Sequence, residues 1–149
     1  MTKLFVMVGI PGSGKSHIGN QIAELFDCEV VSSDAMREKW YGDADDQKHN
    51  SSLWPRLFAL TKEKLSAKKD IVFDATNVSI KDRKKFIQMK NELGVKLIAI
   101  VVNTSIDVAK KRNLSRERIV PDEVIERMSR KLVIPTQDEG FDIVFCVEN

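Results

Sequence analysis

The chain has 149 residues, of which 42% are hydrophobic and 31% are charged, and its net charge is +2. This length is typical of one domain with its own core, and the apolar content is too high for a disordered chain. The 24 basic and 22 acidic side chains nearly balance, so any polyanion site must come from local clustering.

The predicted elements alternate between strands and helices. In chain order they are a strand at 4–8, a helix at 16–26, a strand at 29–32, a helix at 35–40, a helix at about 53–65, a strand at 71–73, a helix at 79–93, a strand at 95–102, helices at about 105–115 and 121–132, and a strand at 141–147. Asp34 is placed to cap the second helix, Ser79 with Asp82 resembles a capping box, and Gly94 ends that later helix.

Continuous apolar strands separated by helices are typical of a parallel sheet that is covered on both faces. We therefore predict a single α/β domain over residues 1–149, with a five-stranded parallel sheet and helices on both faces. Cys28 and Cys146 lack metal-ligand or CxxC spacing, so we interpret both as reduced core residues. No signal-peptide pattern and no run of about 18 apolar residues occurs, which predicts a cytoplasmic protein without a membrane span.

The stretch Gly9-Ile10-Pro11-Gly12-Ser13-Gly14-Lys15-Ser16 matches the pattern GxxxxGK[ST] between a predicted strand and a predicted helix. Its glycines allow a tight turn in which backbone N–H groups face phosphates, and the helix adds its positive N-terminal end. Lys15 would reach the β- and γ-phosphates and the Ser16 hydroxyl would bind Mg²⁺. The sequence therefore predicts an ATP and Mg²⁺ site at this loop.

Polar residues follow the second and third strands, and the carboxyl ends of parallel strands share one edge of a sheet. Asp34 and Arg37 are three apart on a short helix, so a hydroxyl-activating carboxylate would lie beside an anion-binding guanidinium. Asp74 ends the third strand, where it could accept from arginine side chains or orient a Mg²⁺-bound water, and Asn77 follows it. The alternatives are an N-cap aspartate with a solvated arginine, and a strand-ending aspartate that caps a turn.

Three arginines, Arg112, Arg116 and Arg118, follow the fourth strand. A mobile segment at about 110–120 could bring one of them onto a transferring phosphoryl group, where it would neutralise developing charge. The alternative is that these cations favour a helix C-terminus and solubilise its surface.

The chain resembles the 5′-kinase domain of the phage polynucleotide kinases, within the wider group of P-loop kinases. The resemblance rests on four motifs in this order: Val8 to Ser16, Ser33-Asp34-x-x-Arg37, Asp74-x-Thr76-Asn77, and Lys111-Arg112-Asn113-x-x-Arg116 before Val120-Pro121. It implies transfer of the ATP γ-phosphate to the 5′-hydroxyl of DNA or RNA, with nucleic-acid 5′ ends as the substrate. The resembled family includes oligomers, so a homo-oligomer is compatible with the chain.

The resemblance also implies a role for each motif residue. Gly9, Pro11, Gly12, Ser13, Gly14, Lys15 and Ser16, with Arg112 and Arg116, would bind ATP and Mg²⁺; Asp34 would be the general base; and Arg37, Asp74 and Asn77 would serve the acceptor. Arg37 would hold the phosphate on the acceptor's 3′ side, and Arg118 could share the lid role of Arg116. His17 departs from the family, which usually has threonine there.

Two other functions use the same frame. One is a kinase for a small metabolite or sugar, in which Arg37 would hold a substrate carboxylate or phosphate. The other is an ATPase or nucleotide switch that works through a partner protein.

Several remaining groups have simpler interpretations. Asp43-Ala44-Asp45 is expected to be an acidic loop, His17 and His49 surface residues, and Trp40, Tyr41 and Trp54 core-packing aromatics. The basic run Lys81, Arg83, Lys84 and Lys85 is expected to be a solvated helix face, although a nucleic-acid strand could track across it.

Overall fold

The computed structural model describes residues 1–149, and it contains one five-stranded parallel sheet in the order β2-β3-β1-β4-β5. The strands are β1 (Lys3–Val8), β2 (Glu29–Ser32), β3 (Ile71–Asp74), β4 (Lys96–Asn103) and β5 (Ile143–Glu148). The helices are α1 (Lys15–Phe26), α2 (Ser33–Tyr41), α3 (Asn50–Ser66), α4 (Ile80–Leu93), α5 (Ile106–Asn113) and α6 (Asp122–Lys131), with a short 3-10 helix at Gln137–Glu139. The predicted α/β fold with five parallel strands is confirmed.

Successive residues of β1 point to opposite faces of the sheet and so build two separate layers of core. Leu4 and Val6 pack in the larger cluster with residues of α3 and α4. Phe5 and Met7 pack in a second cluster against α1. Helices therefore cover both faces, as the unbroken apolar character of the strands indicated.

The register of the sheet brings three strand ends to one edge. Ser32 of β2 pairs with Asp74 of β3, and β3 is also paired with β1. The glycine-rich loop after β1, the start of α2 and Asp74 consequently lie at the carboxyl edge, where open α/β sheets bind ligands.

The predicted cap of α2 is wrong. Ser32, in an extended conformation, accepts a hydrogen bond from the Ala35 N–H at its Oγ (3.2 Å), so the helix begins at Ser33. Asp34 lies in the first turn and its carboxylate is free for other partners. The other two predicted boundaries are confirmed, since Ser79 and Asp82 form a capping box and Gly94 ends α4 with a φ of 67°.

The basic run on α4 is a solvated face at Lys81, Lys84 and Lys85, as predicted, but the prediction is wrong for Arg83, which is fully buried. Its guanidinium makes two hydrogen bonds to the Glu139 carboxylate, at 2.7 and 2.9 Å, and a third to the Asn77 carbonyl at 2.8 Å. Arg83 thus ties α4 to the 3-10 helix and to the segment after β3.

The cysteine prediction is wrong for Cys146, which is exposed on the edge strand β5. Cys28 is half-buried against the second cluster, and burial raises the pKa of its thiol. Trp40, Tyr41 and Trp54 pack against the larger core cluster, as predicted. No helix is both long enough and apolar enough to cross a membrane.

Candidate active site

The glycine-rich loop depends on backbone conformations that favour glycine. Gly12 has a φ of 83°, and a Cβ there would lie 2.3 Å from the Ala109 carbonyl oxygen. Gly14 has a φ of 88° at the N-cap of α1, and a Cβ there would lie 2.6 Å from Asn149 Nδ2. Larger residues would therefore strain the loop and clash with its surroundings.

The loop is fixed from several sides. The Gly9 N–H donates to the Thr76 carbonyl (3.0 Å), which ties the loop to the segment after β3. The Ser13 carbonyl accepts hydrogen bonds from Thr104 Oγ1 (3.1 Å), Arg112 (3.2 Å) and Asn149 Nδ2 (2.8 Å). The first amides of α1 have no partners within the helix, so this rigid turn and helix end fit the phosphates of a nucleotide.

Lys15 stands where several predicted site residues converge. The pKa of Lys15 lies below its usual range, chiefly because its ammonium is buried, although part of the side chain remains accessible. The carboxylates of Asp74 and Asp34 oppose that decrease of the pKa, whereas Arg116 and Arg118 add to it. Two acids and two arginines from distant parts of the chain thus act on one ammonium group, and a bound polyphosphate would compensate its burial.

Ser16 and Asp74 form the part of the site that fits Mg²⁺. The Ser16 hydroxyl donates to Asp74 Oδ2 at 2.8 Å, while Asp74 Oδ1 is buried without a hydrogen-bond partner. An unpaired carboxylate oxygen beside a hydroxyl suits a hydrated Mg²⁺, which usually takes only one or two protein ligands together with phosphates and water. The resemblance assigns Asp74 to the acceptor, but the hydrogen bond to Ser16 agrees better with the alternative that Asp74 orients a Mg²⁺-bound water.

Asp34 lies at the start of α2 with a guanidinium on each of its oxygens. Arg37 donates to Oδ1 at 3.1 Å, and Arg118 donates to Oδ2 at 2.5 Å. Arg118 also forms an ion pair with Asp45 of the acidic loop. The sequence predicted the pair Asp34–Arg37 from its spacing, but nothing local indicated that Arg118 or Asp45 belongs to the same cluster.

Arg37 is a buried cation, with 9% of its surface exposed. Its second terminal nitrogen donates to Asn50 Oδ1 at 3.2 Å, and its guanidinium carbon lies 5.7 Å from the centre of the Trp54 ring. The Nε atom is buried without a hydrogen-bond partner. A desolvated guanidinium with an unused donor is suited to an anionic ligand.

Asn77 has a different position from the one predicted. Its side chain is 4% exposed and its amide donates to the Met7 carbonyl at 2.8 Å, while its backbone has a φ of 49°. This amide braces the end of β1 against the segment after β3. The placement does not favour the predicted contact with an acceptor.

Arg116 and Arg118 lie in the irregular segment between α5 and α6, as the lid interpretation requires. The Arg116 side chain is half-buried, contributes to the electrostatics of Lys15, and forms no ion pair. Its guanidinium is therefore free to take a phosphate partner.

Sequence reasoning missed Asn50, Thr104 and Asn149. Asn50 follows a polar loop and contacts Arg37, whereas Thr104 and Asn149 both bind the Ser13 carbonyl. Each lies at the carboxyl side of a strand or at the start of a helix, but single polar residues in such places carry no pattern of their own.

The chain is similar to several kinases. It is 26% identical over 144 residues to the bifunctional polynucleotide phosphatase/kinase of Schizosaccharomyces pombe, which covers 93% of this chain and 32% of the relative. It is 24% identical to the L-seryl-tRNA(Sec) kinase of Methanococcus maripaludis, and the match covers 94% of this chain and 56% of the relative. The chain thus spans about a third and about half of these two relatives.

Solved structures share the fold at low identity. A gluconokinase from Sinorhizobium meliloti superposes with a TM-score of 0.67 at 21% identity, covering 98% of this chain and 82% of that one. The acceptors named for these three proteins differ, so the comparisons select no acceptor. The AAA domain family matches residues 4–135, and the chain therefore belongs to that family, with the fold of the P-loop kinases.

Proposed function

We propose that the protein transfers the γ-phosphate of ATP to the 5′-hydroxyl of DNA or RNA. The observation that carries the proposal is the pair Asp34–Arg37, because the charges of Asp34 and of Asp74, which binds Ser16, both act on the buried Lys15 ammonium. A potential base and a buried anion-binding guanidinium therefore lie near the lysine that would reach the γ-phosphate.

In the proposed reaction the acceptor hydroxyl oxygen attacks the γ-phosphorus in line, and its proton passes to the Asp34 carboxylate. The bond between the γ-phosphorus and the bridging oxygen breaks, and ADP leaves. Lys15 and Arg116 would balance charge on the transferring group, as cations do in other phosphoryl-transfer sites. Mg²⁺, held beside Ser16 and Asp74, would neutralise the β- and γ-phosphate oxygens.

Arg37 supports an acceptor that carries a phosphate close to its reactive hydroxyl. Its burial removes competition from water, and its free Nε offers a further donor. Trp54 lies beside it and is only partly buried, so it offers aromatic surface on which a base could stack. A 3′-phosphorylated nucleotide end has both features.

A second candidate is a kinase for a small anionic metabolite or sugar acid. The same buried Arg37 would bind a carboxylate as well as a phosphate, and the fold is shared with a gluconokinase. This candidate differs from the first only in what surrounds the acceptor anion.

The test is incubation with γ-labelled ATP, Mg²⁺ and a panel of acceptors. The panel contains 5′-hydroxyl DNA and RNA oligonucleotides, 3′-mononucleotides, nucleosides, sugars and sugar acids. Label on oligonucleotides and 3′-mononucleotides but not on nucleosides is the expected result. Label on a sugar or sugar acid alone would replace the first candidate by the second, and ATP binding without any labelled acceptor would point to a partner-dependent ATPase or switch.

The base assignment has its own test in the same assay. Asp34→Asn should lose transfer by about 10²-fold or more, within the range of general-base contributions, and keep ATP binding. The matched variant Asp43→Asn changes an exposed aspartate of the neighbouring loop and should transfer normally. Transfer at the normal rate by Asp34→Asn would remove Asp34 from the mechanism.

A further inference from the structure

Arg118 links the segment after α5 to the acceptor side of the site. Its guanidinium bridges two carboxylates, Asp34 on α2 and Asp45 in the acidic loop. These contacts span 84 and 73 positions of the chain, so they depend on the tertiary fold. The segment that carries Arg118 is therefore fixed to the acceptor side by these two contacts.

The contact with Arg118 occupies the carboxylate that the proposed reaction needs. Asp34 Oδ1 accepts from Arg37 and Oδ2 accepts from Arg118. Two guanidinium groups therefore stand against the oxygens that an acceptor hydroxyl would have to approach. The two guanidinium groups hold the Asp34 carboxylate in position, but both of its oxygens already accept hydrogen bonds.

Arg118 also lies within electrostatic reach of the donor site. It is one of the two arginines whose charge lowers the pKa of Lys15. A triphosphate bound at Lys15 would bring several negative charges into this region, and guanidinium groups bind phosphate oxygens well. Arg118 would then have two competing anionic partners, the carboxylates and the triphosphate.

We propose that Arg118 is a positioning residue that holds Asp34 in the donor-free protein and moves toward the donor triphosphate when it binds. This inference rests on the proposed phosphoryl transfer at the same site. Donor binding then releases Asp34 Oδ2 for the acceptor hydroxyl, and Asp45 sets how firmly Arg118 is retained. Arg116 needs no such exchange because it has no ion-pair partner.

Weakening the ion pair between Arg118 and Asp45 should increase the affinity of the protein for the nucleotide donor. In Asp45→Asn, Arg118 keeps its ion pair with Asp34 but loses the one with residue 45. Arg118 then breaks one ion pair instead of two when it moves to the triphosphate. We expect a non-hydrolysable ATP analogue with Mg²⁺ to bind about two- to fivefold more tightly, the change that one largely exposed ion pair produces. Titration of the analogue without any acceptor measures this.

Asp43→Asn is the matched control. It removes the same charge from the same loop, and Asn keeps the oxygen that accepts the Asp45 N–H at 2.9 Å. Asp43 has no contact with Arg118, so this variant should bind the analogue as the unaltered protein does. Equal tightening in both variants would mean a general charge effect and would overturn the inference.

A double-mutant cycle assigns the effect to Arg118. In an Arg118→Gln background, Asp45→Asn should no longer tighten binding of the analogue. Thermal unfolding of all variants verifies that each is folded, which is expected because Arg118 is partly exposed and Asp45 largely exposed. Tightening that persists without Arg118 would overturn the inference.

Transfer kinetics give an independent readout. With the acceptor identified by the labelling panel, Asp45→Asn should lower the KM for ATP and leave kcat within about twofold, whereas Arg118→Gln should lower kcat. A lower kcat in Asp45→Asn with an unchanged KM for ATP would overturn the inference. The binding cycle needs no acceptor, so failure of the proposed transfer is distinguishable from failure of the Arg118 exchange.

Discussion

Ser16 Oγ donates a hydrogen bond to Asp74 Oδ2 at 2.8 Å, which joins residues 58 positions apart at the carboxyl ends of β1 and β3. Because β1 and β3 are neighbours in the sheet, the first turn of α1 meets the end of β3 without any long connection. The second carboxylate oxygen of Asp74 is buried and unpaired. A hydroxyl beside an unpaired carboxylate oxygen is what the proposed Mg²⁺ site requires.

Asp74→Asn is expected to lower the Mg²⁺ affinity of the ATP-bound protein, or its activity, by about 10- to 100-fold. Asparagine can still accept from Ser16, but it lacks the charge that a Mg²⁺ hydration shell requires. Titration of activity with Mg²⁺ at fixed ATP measures the change. Asp107→Asn, at an exposed position of α5, serves as the control, and an unchanged Mg²⁺ requirement in Asp74→Asn would contradict the assignment.

Gly12→Ala is expected to destabilise the protein and weaken ATP binding, because its Cβ would lie 2.3 Å from the Ala109 carbonyl oxygen. Residues forced into such conformations cost about 1–3 kcal/mol, to which the clash with backbone adds. Thermal unfolding with and without ATP measures both effects. Gly42→Ala is a suitable control, since Gly42 has a similar φ of 79° with nothing within 4 Å, and its cost should be confined to the backbone term.

Glu139→Ala is expected to destabilise the protein by about 3–5 kcal/mol, because it leaves the Arg83 guanidinium buried without its counter-ion. The Arg83 and Glu139 side chains are 0% and 8% exposed, so water cannot replace the lost partner. Denaturant unfolding measures the change. Asp138→Ala, next to it on the exposed surface of the 3-10 helix, should cost far less, and equal losses in the two variants would show that the ion pair is not what matters.

The donor half of the site was predictable because its signal is local. The pattern from Gly9 to Ser16 fixes a turn and a helix start through conformations that only certain residues adopt. The spacing of Asp34 and Arg37 likewise indicated a pair, although Ser32 proved to be the cap of α2.

The acceptor half was less predictable because its contacts are long-range. Arg118 meets Asp34 and Asp45 only in the folded chain, across 84 and 73 positions, and no local pattern marks these two contacts. Arg83 was misplaced for a related reason. It lies in a run of basic residues, and the carboxylate that compensates its charge, Glu139, is 56 positions away.

Lys15→Met is expected to stabilise the nucleotide-free protein while removing its stabilisation by ATP. Burial lowers the pKa of Lys15 despite the nearby Asp74 and Asp34, so the charged ammonium is less favourable in the folded chain than in the unfolded one. Methionine avoids that cost, and we expect the midpoint of thermal unfolding to rise by a few degrees, on the order of what 1 kcal/mol produces in a domain of this size.

The pH dependence of the Lys15→Met effect has a definite sign. The unfolded chain keeps the Lys15 proton to a higher pH than the folded chain does. The free energy of unfolding of the unaltered protein therefore rises with pH between the two pKa values. The advantage of Lys15→Met should therefore be complete at any pH below the lowered pKa, and it should shrink as pH rises from that pKa toward the unfolded value of about 10.4. Thermal unfolding of both proteins between pH 7 and pH 10 measures this, with Lys62→Met on the exposed surface of α3 as the control. A nucleotide-free Lys15→Met protein less stable than the unaltered one would mean that the attraction of Asp74 and Asp34 outweighs the burial of the ammonium.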